Sequence, residues 1–261
     1  MSTVHADARP APATAARAAV ASGSVHSWDV SSGVDGPGTR FVVFLQGCPL
    51  RCLYCHNPDT WRMREGSRTT ADEVVQEASK LLPFIRAAGG GATISGGEPL
   101  LQPRFTHALL HGMRSLGLHT ALDTSGFLGA RADEDLLAAT DLVLLDIKCW
   151  DPALYRRLTG ARLAPTLDFA RRLARLGKPV HLRYVLVPGL TDPPAEIEGV
   201  ARFAAGLGNV ERVDVLPFHK LGAGKYRTLG IPFPLGETPT PTAVQAAVAR
   251  QVFTDAGLAA Y

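Results

Sequence analysis

Three thiols fall within eight residues, in Cys48-Pro49-Leu50-Arg51-Cys52-Leu53-Tyr54-Cys55. Cysteines spaced in this way can wrap one small inorganic core, and at this chain's cysteine frequency the pattern arises by chance in about one sequence in a thousand. A cubane of four irons ordinarily takes four thiolates, so three leave one iron open to a chelating ligand from outside the protein. The competing reading is structural zinc, with His56 as the nearby fourth ligand; ligands at adjacent positions 55 and 56 would strain a tetrahedron, and structural zinc sites favour paired spacings. Cys149 is not assigned to the cluster, because the chemistry needs an open iron and a buried cysteine commonly serves as a small apolar side chain. Four cysteines, three of them crowded together, make a poor disulfide framework for 261 residues and point to a reducing, cytoplasmic setting.

Other groups able to do chemistry stand at the ends of apolar runs: Gly96-Gly97-Glu98-Pro99, Asp123-Thr124-Ser125-Gly126, Asp146-Ile147-Lys148 and Pro217-Phe218-His219. Gly96 and Gly97 lack a Cβ and would let backbone come close to a ligand, although a glycine pair is also ordinary turn punctuation. Lys148, alone at the end of a very apolar run, reads either as a site lysine or as a solvent-facing strand exit. His219 reads equally well as a structural histidine. Asp35, in Asp35-Gly36-Pro37-Gly38, has a plain account as a turn residue. Nothing resembles a nucleophile-base triad.

The elements that must carry these groups are six β-rich runs: Phe41–Leu45, Ala92–Ser95, His119–Asp123, Leu142–Asp146, Val180–Val187 and Arg212–Leu216. Most are apolar without alternation, as in a parallel sheet covered on both faces. Helical patterns lie between them. Thr70 with Glu73 predicts a capping box, Asp192-Pro193 and Thr240-Pro241 predict helix starts, and Gly117 and Gly177 predict stops. Val74, Ala78, Leu81 and Ile85 form an apolar stripe that Pro83 should interrupt. Strand followed by helix, six times, predicts an α/β protein with a partial, open six-unit barrel, short of the eight units of a closed one, with its site at the carboxyl ends of the strands. Gly23 to Gly38 should supply a leading strand and turn, and Lys220 to Pro239 a loop before the last helix. Residues 1–22, rich in alanine, read as a disordered tail, and residues 23–261 as one domain. The composition is ordinary for a globular chain, no apolar run is long enough to span a bilayer, and a net charge of +3 argues for neither a nucleic-acid nor a membrane partner. The arginines at 156, 157, 171, 172 and 175 alternate with apolar residues and read as a solvated helix face.

The cysteine motif after a first strand, with Gly96-Gly97-Glu98-Pro99 after a second, resembles the radical S-adenosylmethionine superfamily. Val34-Asp35-Gly36-Pro37-Gly38, Gln46-Gly47-Cys48, Cys52 to Trp61, Leu122 to Gly126 and Leu145 to Lys148 extend the resemblance to its glycyl-radical-enzyme activases, from about Gly23 to the last helix. The resemblance implies a 4Fe-4S cluster on Cys48, Cys52 and Cys55, S-adenosylmethionine as cosubstrate, and a protein substrate, pyruvate formate-lyase, from which an α-hydrogen of one backbone glycine is removed. It places Tyr54, Cys55, His56, Gly96, Gly97, Glu98, Asp146, Ile147, Lys148 and His219 about the cofactor, and turns Asp35 toward the substrate's glycine loop. It implies a monomer served by a one-electron donor such as flavodoxin.

Asp123 and Asp146 should share one rim. With the methionyl carboxylate they make three negative charges, which Lys148 alone cannot balance. By the resemblance, a monovalent cation, sodium or potassium, bridges Asp123, Thr124, the Leu144 carbonyl and Asp146 to the cofactor; an all-oxygen set suits a hard cation. Two other readings compete. One is an activase for another glycyl radical enzyme, a dehydratase, a decarboxylase or an anaerobic ribonucleotide reductase; the absence of cysteine between Cys55 and Gly96 removes relatives with a ferredoxin-like insert. The other is a zinc-stabilised, non-catalytic binding protein, which would be colourless where an iron-sulfur protein is brown.

Overall fold

The computed structural model describes residues 21–261, so the expected tail lies outside the described residues except for its last two positions. Those two are ordered into the fold: Ser22 opens β1 (Ser22–Ser32), and the Ala21 carbonyl accepts from Ala71 N. β1 pairs antiparallel with β2 (Thr39–Leu45) and, on its other edge, with β3 (Ser67–Thr70). Five more strands continue from β2 in parallel: β4 (Gly91–Gly96), β5 (His119–Thr124), β6 (Leu142–Asp146), β7 (Val180–Leu186) and β8 (Val210–Pro217). The order is β3-β1-β2-β4-β5-β6-β7-β8, and residues 259–261 pair in parallel with the outer edge of β8 at Val213 and Val215, so the six expected parallel strands form an open barrel with an antiparallel extension. The four-residue β3 is polar, Ser-Arg-Thr-Thr, and gives no apolar signal in the sequence.

The helices follow from local chemistry. Thr70 and Glu73 close the capping box of α1 (Ala71–Ser79), and Pro83 starts a separate α2 (Leu82–Ala87), as expected of a proline that cannot donate inside a helix. α3 (Pro103–Ser115) and α6 (Ala164–Arg175) end just before Gly117 and Gly177, both in the left-handed region. α4 (Glu134–Ala138) and α5 (Pro152–Thr159) flank β6. Two expected starts are corrected. α7 (Pro194–Ala205) begins after Pro193, and Asp192 instead accepts from Gly189 N to close the preceding turn. The last helix, α9 (Ala243–Asp255), is capped by Thr242 with Gln245 rather than by Thr240. The loop expected from Lys220 holds a short helix, α8 (Ala223–Thr228). No helix among the described residues is long and apolar enough to cross a membrane.

Because side chains alternate along a strand, the sheet has two faces of different character. Val43, Ile94, Leu122, Val143 and Leu145 pack outward with Leu109 and Leu110 of α3 and Phe169 and Leu173 of α6. Leu182, Tyr184 and Val213 do the same with Val200 of α7 and Phe253 of α9. The register aligns Phe44 with Ser95, Asp123 with Leu144, Leu144 with His181, and Asp146 with Arg183 on the opposite, inner face. A closed barrel fills that space with branched aliphatics; here charged and hydroxyl groups occupy it.

Candidate active site

The cysteine loop leaves β2 and is fixed mainly by backbone bonds. Gly47 N donates to Thr60 O and Cys48 N to Trp61 O, while Arg51 N and Leu53 N donate to the last carbonyls of α5, on Thr159 and Leu158. Gln46 Nε2 ties the loop's two ends together through Asp59 O and Arg62 O. Cys48, Cys52 and Cys55 are free and half-buried. Burial pushes all three thiols up, Cys52 to about 11, with Lys148 drawing it partly back; at Cys55 hydrogen bonds from Asn57 N and the Trp61 side chain oppose the burial. Such thiols ionise when a metal displaces the proton. Among the described residues no three Cys, His, Asp or Glu side chains converge as a single ion would require. Three thiols on one loop are a donor set that suits a cubane with one iron left open. Cys149 is buried in the apolar core behind the loop, its sulfur near Asp151 O.

At the carboxyl ends of β5, β6 and β7 the inner face carries a buried ionic set. Lys148 Nζ lies 2.7 Å and Arg183 Nε 2.9 Å from the two oxygens of Asp146, and Arg183 Nη2 reaches Asp123 Oδ1. Ser95 Oγ donates to the other Asp123 oxygen at 2.6 Å. The lysine, arginine and two aspartates have side chains only 11–15% exposed, so Lys148 is not a solvent-facing strand exit. Burial opposes the charge on Asp146, but Arg183 and Lys148 outweigh it and hold its pKa low; at Asp123 burial prevails over Arg183, and Asp146 adds to the upward shift. Arg183 is the residue that sequence reasoning missed. It corrects the expected charge balance, since two cations rather than Lys148 alone face the two carboxylates. Its signal was present in β7, whose residues alternate between buried and half-buried, placing His181 and Arg183 on the face of Asp146.

The Gly96-Gly97-Glu98 segment packs against β2 and the cysteine loop. A Cβ on Gly96 would fall 2.1 Å from Leu45 N, and one on Gly97 2.3 Å from Gly47 O, so the glycines admit close packing against β2 and the cysteine loop. Their neighbours are stitched there by Gly97 N to Leu45 O and Glu98 N to Gly47 O. The Glu98 carboxylate is buried, and accepts from Leu100 N, Thr124 Oγ1, Ser125 N and Ser125 Oγ. Burial raises its pKa against those four bonds. Glu98 therefore ties the turn after β4 to the turn after β5 and is not a free ligand. Thr124 Oγ1, which also accepts from Gly126 N, is committed to the same web. Leu144 stands opposite Asp123 in the register. Ile147 packs its side chain into the core and donates its N–H to Arg183 O, so its contribution is to space Asp146 from Lys148.

Tyr54 is buried with Lys148 Nζ 5.7 Å from its ring centre. The rings of His56 and His219 meet at 4.2 Å, tilted by 31°, bringing the last strand's exit onto the cysteine loop. Asp35 lies in a turn with three left-handed glycines, Gly33, Gly36 and Gly38, pinned by Thr93 Oγ1 donating to Asp35 O, and its charge acts on Arg183 and Asp123. Sequence reasoning also missed a clamp on the segment after Cys55: Asp59 accepts from His26 of β1 and Lys225 of α8, which also reaches Asn57. Its members are 166 and 33 residues from Asp59 and carried no local pattern.

An open parallel sheet with a three-thiol loop after its first parallel strand defines a class: residues 42–204 match the Radical SAM superfamily. Pyruvate formate-lyase-activating enzyme of Staphylococcus aureus (strain USA300) is 46% identical over 86% of this chain and 93% of its own length. A crystallised domain of a pyruvate-formate lyase-activating enzyme from Bacteroides vulgatus shares 27% identity over 66% of this chain and 98% of that one, with a TM-score of 0.56. A radical SAM methyltransferase from Sphaerobacter thermophilus, 20% identical over 89% of this chain and 71% of that one, shares the fold at a TM-score of 0.63. The chain belongs, within the radical SAM superfamily, to the family of pyruvate formate-lyase-activating enzymes.

Membership implies a 4Fe-4S cluster and S-adenosylmethionine, and the residues present fit them. The donor set is three free, half-buried thiols on one loop. Around them, Tyr54 Oη and His219 Nδ1 are buried polar atoms with no hydrogen-bond partner among the described residues, positions at which a polar ligand would be satisfied.

Proposed function

We propose that the protein activates pyruvate formate-lyase by drawing an α-hydrogen from one backbone glycine of that enzyme. The observation that carries this reading is the set of three half-buried thiols beside the Asp146, Lys148 and Arg183 ion pairs, in a chain of this family. Cys48, Cys52 and Cys55 would hold the cluster, which when bound and reduced supplies the electron that cleaves S-adenosylmethionine to methionine and a 5'-deoxyadenosyl radical. The chain's own task is then positioning and exclusion of water. Lys148 and Arg183 would receive the methionyl carboxylate, with Asp146 orienting both. Tyr54, His56 and His219 would border the adenosyl portion, and the pinned turn around Asp35 would meet the substrate's glycine loop. Three carboxylates against Lys148 and Arg183 leave room for one more positive charge, so a sodium or potassium ion at Asp123, Thr124, Leu144 and Asp146 belongs to the proposal. So do a monomeric enzyme, a cytoplasmic setting and a flavodoxin-like electron donor.

The test mixes reduced, reconstituted protein and S-adenosylmethionine with pyruvate formate-lyase and, separately, with other glycyl radical enzymes, and looks for the glycyl radical by electron paramagnetic resonance. A radical on pyruvate formate-lyase is expected. A radical formed only on another glycyl radical enzyme would replace the named substrate.

A further inference from the structure

Arg40, on β2, is fully buried, and its five hydrogen bonds all go to neutral acceptors. Nε donates to Thr93 Oγ1 at 3.0 Å, Nη1 to Pro37 O and His119 Nδ1, and Nη2 to Ala92 O and His119 O. A guanidinium can only donate, so the Thr93 hydroxyl accepts from it and turns its own proton to Asp35 O, at 2.6 Å. The direction of that bond is thereby fixed. The turn of residues 33–38 closes over this group because its glycines allow it: a Cβ on Gly36 would fall 3.3 Å from Arg40 Nε, and one on Gly38 2.5 Å from Gly89 O. Asp35 is the only charged residue of the turn. Thr93 precedes Ser95 by two residues on β4, so the two share the inner face, and Ser95 holds Asp123. The turn thus forms a floor one inward-facing position below the ionic set. Burying a cation with no carboxylate bound to it costs stability, and what this one does in return is grip the turn from inside the barrel.

We propose that Arg40 and Thr93 are positioning residues for the protein substrate, holding the Asp35 turn in its bound form before the glycine loop arrives. The inference rests on the reading of that turn as the substrate contact and deepens it by naming what presets it. A turn with three left-handed glycines would otherwise have to be ordered during binding, at the expense of affinity. A glycine held out of place would also leave cofactor cleavage uncoupled from hydrogen transfer. Neither Arg40 nor Thr93 touches the reacting atoms; both act through Asp35.

The experiment uses reconstituted holoenzyme and a synthetic peptide spanning the radical-site glycine of pyruvate formate-lyase. Thr93→Val keeps the side-chain shape and removes the hydroxyl. It should weaken peptide binding, measured by calorimetry, about tenfold, the loss expected of one preorganising hydrogen bond, while S-adenosylmethionine affinity and iron content stay at wild-type values. The 5'-deoxyadenosine released per glycyl radical formed should rise. Thr93→Ser, which restores the hydroxyl, should bring both readouts back toward wild type. Gly36→Ala strains the same turn from its half-buried side, should shift both readouts in the direction of Thr93→Val, and serves if the valine variant folds poorly. Folded variants that bind the peptide as wild type does, or that lose cofactor and peptide affinity together, would overturn the inference and leave the activase reading intact. A wild-type holoenzyme that raises no glycyl radical on the peptide or on pyruvate formate-lyase would overturn that reading itself.

Discussion

Both ends of the parallel sheet carry an aspartate held by cations and hydroxyls, and the two are built on different plans. At the amino end, Asp141 precedes β6 and accepts from Thr120 N at 2.8 Å, Thr120 Oγ1 at 3.0 Å and Arg114 Nη1 at 3.0 Å. One of those donors is backbone, so the carboxylate joins the start of β6 to the start of β5, and it is a third exposed. At the carboxyl end, Asp123 and Asp146 are bound by side chains alone, those of Ser95, Lys148 and Arg183. A carboxylate satisfied by backbone cannot be offered to a ligand without unmaking the fold, whereas one satisfied by side chains can change partners when a ligand brings new charge. The site thus stands where charges are paired but not tied to the backbone, and at the rim where barrels of this kind keep their chemistry.

The largest loss is expected at the cysteine loop beside the carboxyl-end ions. Cys48→Ala, Cys52→Ala or Cys55→Ala should abolish both the cluster and cofactor cleavage, measured as iron content and 5'-deoxyadenosine release, because a cubane left with two protein thiolates should not persist. Cys149→Ala should retain both. Loss of iron in Cys149→Ala with full iron in one of the others would reverse the ligand assignment.

Arg183→Met comes next. Removing one partner of a buried ionic network costs about 3–5 kcal/mol of stability, since Asp123 and Asp146 lose shared compensation. It should also weaken S-adenosylmethionine binding by about tenfold or more, the equivalent of ~1.4 kcal/mol for one lost charged contact. Leu145→Ala, on the outward face of the neighbouring strand, should cost a similar ~2–5 kcal/mol and leave the affinity of the folded protein unchanged. Chemical denaturation and calorimetric binding separate the two. Equal affinities in wild type and Arg183→Met would return the arginine to a purely structural role.

The pattern of success in reading the sequence follows the same division. Apolar runs such as Leu142–Asp146 were legible because a parallel strand buried on both faces, as Leu142 to Leu145 are, has few polar residues to confuse its bounds. The cysteine spacing and the polar groups after each strand were legible because chain order places them at one rim. Arg183 was hidden because the six runs were read together as mostly apolar, whereas the alternation within β7 assigns the arginine to the inner face. β3 was hidden because an edge strand of Ser-Arg-Thr-Thr buries little. The structural role of Glu98 was not legible because its four donors come from residues 100, 124 and 125, and only folding shows that they converge.

A smaller effect should come from the identity of the monovalent cation. At constant ionic strength S-adenosylmethionine affinity should differ a few-fold among sodium, potassium and a bulky organic cation, and Asp146→Asn should weaken that dependence. Equal affinity in all three salts would mean that Lys148 and Arg183 together suffice for the three carboxylates.

The smallest effect belongs to the amino end, and its pH dependence sharpens the contrast. At Asp141 burial works against the charge, but the Thr120 donors and Arg114 outweigh it and hold the pKa below the ordinary aspartate value. A group whose folded pKa is depressed contributes stability that is fully present above its unfolded pKa of about 3.9 and is lost as pH falls through the folded value. Asp141→Asn should therefore cost about 1–2 kcal/mol at pH 7, the scale of hydrogen bonds to a charged acceptor, with the gap to wild type narrowing below about pH 4. Cofactor affinity should not change. Asp123 carries the opposite sign: its folded pKa is raised by burial despite Arg183, so its contribution is present at low pH and lost as pH rises through the folded value. In urea titrations from pH 3 to pH 7, wild type should gain on Asp123→Asn as pH falls and lose ground to Asp141→Asn over the same interval. Parallel trends would show that the two carboxylates are stabilised alike, and the distinction between a backbone-tied and a side-chain-held aspartate would fail as a guide to which end of the sheet does chemistry.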